Sequence, residues 1–276
     1  MTGQAESALL AAVELSPQAA AAHDRTGWVG LFTRDGCIED PVGSGPHLGH
    51  SEIGRFYDTF IGPRDIAFHR DLDVVHDRAV IRDLDLEVVM GSAVTMTIPA
   101  FLRYDLREAD GEWKIAKLRA YWELPSMMLQ FLRHGVSAVP ATIQLSQGLI
   151  RNQRLRGTAG FAAGFRRVGS RRKELVAAFV DAVGRGDKLA AQRTLSSDAT
   201  MTFGDDDAAE IVDFVARCPA ARVQKRIAAG STVAVSISSE RGRGVMFADV
   251  ARRRNEIRRI RYFPASSTSD AADNPK

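Results

Sequence analysis

Asp65-Ile66-Ala67-Phe68-His69-Arg70 marks the point at which the spacing of apolar residues changes. From here they alternate, as they do on a strand with one buried face. Ile66 and Phe68 begin the pattern, and Val80, Ile81, Leu84, Leu86 and Val88 continue it. Val94, Met96 and Ile98 follow, then Trp113, Ile115, Leu118 and Tyr121. Four strands separated by polar turns such as Ala109-Asp110-Gly111 predict a curved antiparallel sheet. Upstream of Asp65 the spacing is helical. Leu9, Leu10 and Val13 lead an amphipathic stretch that Ser16-Pro17 is expected to interrupt or restart. A short second helix behind a cap at Asp24 holds Trp28, Val29, Leu31 and Phe32. A short strand then leads to the turn Asp40-Pro41-Val42-Gly43-Ser44-Gly45-Pro46, and Ser51 to Phe60 reads as a third helix. Helices first and a sheet afterwards is an α+β order.

Downstream, the pattern recurs in shortened form. Leu175, Val176, Phe179, Val180 and Val183 predict a helix, Gly184-Arg185-Gly186-Asp187 a turn, and Leu189 to Leu195 a second helix. Ser197 to Phe203 reads as a strand, Ile211 to Cys218 as a third helix, and Val223 to Tyr262 as alternating strands. This is the signature of a diverged internal duplication. The expected division is a first domain over 1–125, a basic helical linker over 126–170, a degenerate second domain over 171–265 and a disordered tail over 266–276.

Charge and cysteine usage remove several function classes. With 37 basic and 34 acidic residues the net charge is +3, which favours neither nucleic acid nor membrane. The positive charge is concentrated: from Leu124 to Lys173 there is no Asp or Glu, while Arg133, Arg151, Arg154, Arg156, Arg166, Arg167, Arg171 and Arg172 all fall there. With Met127, Met128, Phe131, Phe161 and Phe165, this stretch is expected to pack between the halves, with a pocket lid or a peripheral acidic or membrane surface as alternatives. Cys37 and Cys218 show no metal-ligand spacing and are expected to be reduced, buried thiols. No metal or cofactor is expected. The N-terminus lacks a signal-peptide pattern and no apolar run is long enough to span a bilayer, so a cytoplasmic protein is expected. Arg252-Arg253-Arg254, with Arg258, Arg259 and Arg261, is read as a solvated sheet face.

Cys37-Ile38-Glu39-Asp40-Pro41-Val42-Gly43-Ser44, followed by Pro46, Gly49, Ile53, Phe56 and Tyr57, closely resembles the corresponding stretch of bacterial ketosteroid isomerases. Arg119-Ala120-Tyr121-Trp122 resembles the last strand of that family. The resemblance covers about the first 125 residues. It implies the nuclear-transport-factor-like, SnoaL-like fold, a cone of bent antiparallel sheet closed by helices (cystatin-like in outline) around an apolar pocket. Two such units would form a pseudo-dimer within one chain, the second copy covering the first. The resemblance also implies proton transfer, with Asp40 as the base that moves a proton beside the ketone of a steroid-like substrate. Ketosteroid isomerases are a well-known case of carboxyls tuned by their surroundings, and that logic is carried over to Asp40 from the family. Phe32, Phe56, Val88 and Trp122 are expected to surround Asp40 and raise its basicity by desolvation.

Two departures follow from the same resemblance. Ser16 stands where the family has its oxyanion tyrosine, and Ala100 where it has its protonated aspartate. Both positions are still expected to border the ligand. Loss of one such donor commonly costs about 100- to 1000-fold in rate, so substitutes are needed, and Tyr57 and Trp122 are the candidates. His69 and His76 lie on strands and are read as exposed or satisfied. In the second half the base position becomes Phe203, and Asp205-Asp206-Asp207 reads as a solvated loop. Three readings stay open: a steroid isomerase-like enzyme, a binding protein that keeps the pocket without the chemistry, and another SnoaL-like reaction such as dehydration, epoxide opening or cyclisation.

Overall fold

The computed structural model describes residues 3–90, 94–123, 170–251 and 254–266. The predicted linker and tail lie outside the described residues, apart from their edges, as do Arg252 and Arg253. The described residues divide into two compact units, one of residues 3–71 and 77–123, the other of residues 72–76 and 170–266. Each unit is α+β. The elements are α1 (Gly3–Ala21), α2 (Arg25–Gly30), β1 (Phe32–Glu39), β2 (His47–Leu48), α3 (Gly49–Phe56), a π-helical turn (Tyr57–Ile61), β3 (Asp65–His76), β4 (Ala79–Met90), β5 (Val94–Ala109) and β6 (Glu112–Tyr121). The second series is α4 (Ser170–Gly184), α5 (Lys188–Gln192), β7 (Leu195–Phe203), β8 (Asp207–Ala208), α6 (Ile211–Arg217), β9 (Arg222–Ala229), β10 (Thr232–Ser239), β11 (Gly242–Val250) and β12 (Ile257–Pro264).

Three local expectations are corrected. First, Pro17 does not interrupt the first helix; α1 runs through it. Proline removes one intrahelical hydrogen bond, but Leu9, Val13, Ser16 and Ala20 form a continuous buried stripe across it. Burying one large aliphatic side chain contributes about 1.5–3 kcal/mol, so the stripe outweighs the lost bond. Second, α2 is capped by Asp24 as predicted, but it ends at Gly30, and Phe32 opens β1. Third, the helix expected to reach Phe60 gives way after Phe56 to a π turn, in which Gly62 N–H donates to the Tyr57 carbonyl at 2.8 Å. Apolar spacing alone does not separate these two helix types.

The first sheet has the order β2-β1-β6-β5-β4-β3. It is mixed rather than purely antiparallel, because β1 runs parallel to β6. β5 and β6 join through Asp110 and Gly111 at φ 55° and 79°, with Ala109 opposite Glu112. That is a two-residue hairpin whose twist matches the sheet.

The second unit repeats this plan in the order β8-β7-β12-β11-β10-β9. The repeat extends to individual backbone bonds. Asp24 accepts from Gly27 N–H at 2.8 Å, and 163 residues later Asp187 accepts from Ala190 N–H at 2.9 Å. The residues before these caps, His23 and Gly186, both have positive φ, 51° and 74°. Ile115 N–H donates to the Leu31 carbonyl at 2.8 Å, and Ile257 N–H to that of Thr194 at 2.9 Å. Leu195, expected at the end of a helix, instead begins β7.

Candidate active site

The site is assembled where β1 ends beside β6. Ile38 pairs with Leu118 and Glu39 with Arg119, so Asp40, the next residue, stands opposite Ala120. Val42 N–H donates to the Ala120 carbonyl at 2.8 Å, and Gly43 N–H donates to the Glu39 carboxylate at 3.1 Å, which tie down the turn; its Asp40–Pro41 peptide is cis. Asp40 keeps some exposed area, but the surrounding protein removes enough water to push its carboxyl up to about 6. Trp122 Nε1 donates to Asp40 Oδ1 at 2.5 Å and opposes that shift by favouring the carboxylate; desolvation is the larger effect.

Trp122 also packs, with Ile66 and Leu86, against Val88, Met96 and Ile98. The other wall residues gather around Trp28, whose ring lies 5.0 Å from Phe32, 5.4 Å from Tyr57 and 6.3 Å from Phe56. Tyr57 is buried and its hydroxyl has no hydrogen-bond partner; burial pushes that hydroxyl above its ordinary value. Ser16 and Ala100 are both buried, Ala100 directly opposite Leu84. The structure therefore joins Asp40, Trp122 and Val88 in one group and Phe32, Phe56 and Tyr57 in another.

Several residues differ from expectation or escaped it. Cys37 is only half-buried, because it sits near the edge of the sheet opposite Leu48; Cys218 is buried as expected. His69 faces outward beside Glu87 at 3.5 Å, and His76 is half-buried. Trp28, the centre of the aromatic group, reads in the sequence only as a helix residue. Arg82 was missed. It is 2 % exposed, and its Nη2 donates to Glu14 Oε2 of α1 at 2.6 Å. The signal was present: in Val80-Ile81-Arg82-Asp83-Leu84, Arg82 occupies the same strand face as Val80 and Leu84.

The second unit has the same register without the site. Met201 pairs with Ile260 and Thr202 with Arg261, so the residue matching Asp40 is Phe203. Its ring stacks on Phe214 at 4.9 Å, and Phe214 lies 6.2 Å from both Phe179 and Tyr262. A groove of about 1140 Å³ does occur in this unit, but its lining includes Ser196, Asp198, Asp249, Arg254, Glu256 and Arg259 and none of the residues that match the Asp40 group. Asp205, expected in a solvated run, is half-buried 3.9 Å from Arg261. Among the described residues there is no group of three or more His, Cys, Asp or Glu placed to hold a metal, and no helix long and apolar enough to cross a membrane.

The match to a family model bears on the first unit. Residues 8–128 match the family model of the nuclear transport factor 2 (NTF2) domain. A search of curated proteins returned no match. Among solved structures, RV0760c from Mycobacterium tuberculosis is 28 % identical over 43 % of this chain and 92 % of its own, with a TM-score of 0.39. RV0760c has also been solved in complex with estradiol-17beta-hemisuccinate. A Delta 5-3-ketosteroid isomerase from Mycobacterium sp. is 26 % identical over 43 % of this chain and 95 % of its own, TM-score 0.40. An LEH-like epoxide hydrolase from M. tuberculosis is 18 % identical over 49 % and 96 %, TM-score 0.41.

Proposed function

We propose that the NTF2-like domain over residues 8–128 catalyses proton transfer on a flat hydrophobic ketone of the steroid type, with Asp40 as general base. The observation that carries this reading is the state of the Asp40 carboxyl: desolvated, pushed up to about 6, and held on one oxygen by the Trp122 indole. A base of that strength is mostly ionised near neutral pH yet far more basic than an ordinary aspartate, the compromise that general-base catalysis favours. The indole occupies Oδ1 and leaves Oδ2 to take the proton.

In this reaction Asp40 removes a proton from the carbon beside the ketone, and the electron pair moves through the conjugated system onto the ketone oxygen. The same carboxyl then returns the proton to a different carbon, so the base is regenerated. Tyr57, whose buried hydroxyl has no partner, is the proposed donor to the substrate oxygen. Phe32, Phe56, Val88 and Trp122 supply the apolar walls, with Ser16 and Ala100 at the ligand's edge. The second unit, with Phe203 at the base position, is read as a non-catalytic copy, and its pairing with the first as a pseudo-dimer belongs to the same proposal.

A second reading is favoured by Ala100, whose side chain has no hydrogen to donate: a steroid-binding protein without turnover. Mixing the protein with a Δ5-3-ketosteroid and following conjugated-enone absorbance separates the two. Turnover that disappears in Asp40→Asn supports the enzyme. Tight binding without turnover, unchanged by Asp40→Asn, supports the binding protein and ends the enzymatic reading.

A further inference from the structure

The proton-transfer reading gives the negative charge on the substrate oxygen one neutral donor, Tyr57, because Ser16 and Ala100 stand where the resembled family has its tyrosine and its protonated aspartate. The sheet register brings a third side chain to that place. Leu84 pairs with Ala100, and Arg82 with Leu102, so Arg82 projects from the same face and is the diagonal neighbour of Ala100. Diagonal neighbours lie about 7–8 Å apart, within reach of a long side chain. Leu102 in turn pairs with Ala120, opposite which Asp40 stands. Asp40 and Arg82 therefore belong to one cross-strand row on one face, with the small Ala120 and Leu102 between them.

The helix side agrees. Arg82 is 2 % exposed and is bonded at 2.6 Å to Glu14, two residues from Ser16 on α1. Arg82 is thus tied to α1 two residues from Ser16 and stands on the strand diagonally from Ala100. Glu14 also approaches Arg70 at 3.6 Å and is itself 43 % exposed, so it orients Arg82 while remaining in contact with water. A buried arginine beneath a helix often serves structure alone, and a charge-neutral strand position would hold the fold better.

We infer that Arg82 is the cationic group that, beside Tyr57, stabilises the enolate oxygen formed when Asp40 takes the substrate proton, in place of the family's tyrosine and protonated aspartate, whose positions Ser16 and Ala100 hold. This rests on Asp40 being the base. As the carbon–hydrogen bond breaks, its proton passes to Asp40, its electron pair reaches the carbonyl oxygen, and that oxygen accepts hydrogen bonds from the guanidinium; both return when the proton is delivered. Glu14 is a positioning residue, since it acts through Arg82. A full positive charge also selects the ligand: ketones that form extended enolates, and phenols that bind as phenolates, are favoured over neutral alcohols.

The test uses the full chain carrying Arg82→Met, which keeps the length and removes the charge, and Arg82→Lys, which keeps the charge. Turnover of the Δ5-3-ketosteroid should fall about 100-fold or more in kcat for Arg82→Met, the range for a lost oxyanion donor, with KM little changed and partial recovery in Arg82→Lys. The second readout is 4-nitrophenol, whose phenolate is yellow and whose phenol is not, bound to proteins carrying Asp40→Asn so that the base's charge does not interfere. With Arg82 present the bound probe should ionise at least about one pH unit lower than it does free in solution; with Arg82→Met that advantage should vanish. Circular dichroism and thermal unfolding verify that each variant is folded, and the exposure of Glu14 makes the loss of its partner tolerable.

If Asp40→Asn abolishes turnover while Arg82→Met changes neither turnover nor probe ionisation, the Arg82 assignment is wrong and the base assignment stands. If the wild type shows no turnover but loses probe ionisation on Arg82→Met, Arg82 is the anion-binding group and the base reading fails instead. Absence of any probe binding, together with unaltered kinetics in Arg82→Met, also overturns the assignment.

Discussion

The two units share a strand order, a cap geometry and a register, and they differ at the residue that follows the paired end of the first strand. In one it is Asp40, desolvated and bonded to Trp122. In the other it is Phe203, stacked on Phe214 in an aromatic group that includes Tyr262. The turn beyond is also one residue shorter: Val42 N–H donates to Ala120, whereas Gly204 N–H donates to Tyr262 at the matching position. One backbone plan thus supports either a desolvated carboxyl or a half-buried aromatic ring stacked on its neighbour. The fold specifies where the first strand ends, and the side chain that follows decides whether a carboxyl or an aromatic ring is placed there.

The largest expected effect comes from writing the second unit's residue into the first. Asp40→Phe should reduce any steroid turnover by about 1000-fold, the middle of the range for a lost general base, with secondary structure unchanged by circular dichroism. Residual activity within tenfold of wild type would mean that the difference between the units has nothing to do with catalysis. The reciprocal change, Phe203→Asp, should create no activity. It places a carboxylate against Phe214 and Tyr262 and should destabilise the protein by about 3 kcal/mol in urea unfolding at neutral pH; a loss under about 1 kcal/mol would show that the second interior is wetter than its packing implies.

Stability against pH sharpens the same contrast. The Asp40 carboxyl is raised from 3.8 to about 6 in the folded chain, so its protonated form is the one that folding favours. That contribution is complete below 3.8 and is lost as pH rises through about 6. Asp40→Asn removes the dependence, so the variant should become more stable relative to wild type by about 2–3 kcal/mol between pH 4 and pH 7. Parallel curves for the two proteins would contradict a desolvated Asp40. The smallest effect is expected from Trp122→Phe. Removing the indole N–H takes away the group that lowers the Asp40 value, so the acid limb of the rate profile should move to higher pH. Turnover should fall about three- to tenfold at pH 6 and less at pH 8; an acid limb displaced downward would refute the hydrogen bond's role.

Much of the architecture was legible because it depends on short-range patterns. The switch to alternation at Asp65 located the strands, and Asp24 announced a cap that the structure shows accepting from Gly27. The Asp110-Gly111 turn was readable from its residues, since both need positive φ. Pro17 misled for the opposite reason: its cost is local, while the buried stripe of Leu9, Val13, Ser16 and Ala20 that offsets it becomes visible only once a sheet lies beneath the helix. The π turn at Tyr57–Ile61 was hidden by a spacing that it shares with an ordinary helix.

The sequence by itself determined the α+β order, the repetition of one plan along the chain, and the singling out of Asp40 and its turn, because periodicity, turn chemistry and motif are properties of neighbouring residues. Tertiary structure decided which distant residues meet. Trp122 reaches Asp40 across 82 positions, and Glu14 reaches Arg82 across 68. Desolvation and long-range hydrogen bonds arise from whatever the folded chain stacks around a group, and no local window of sequence contains those neighbours.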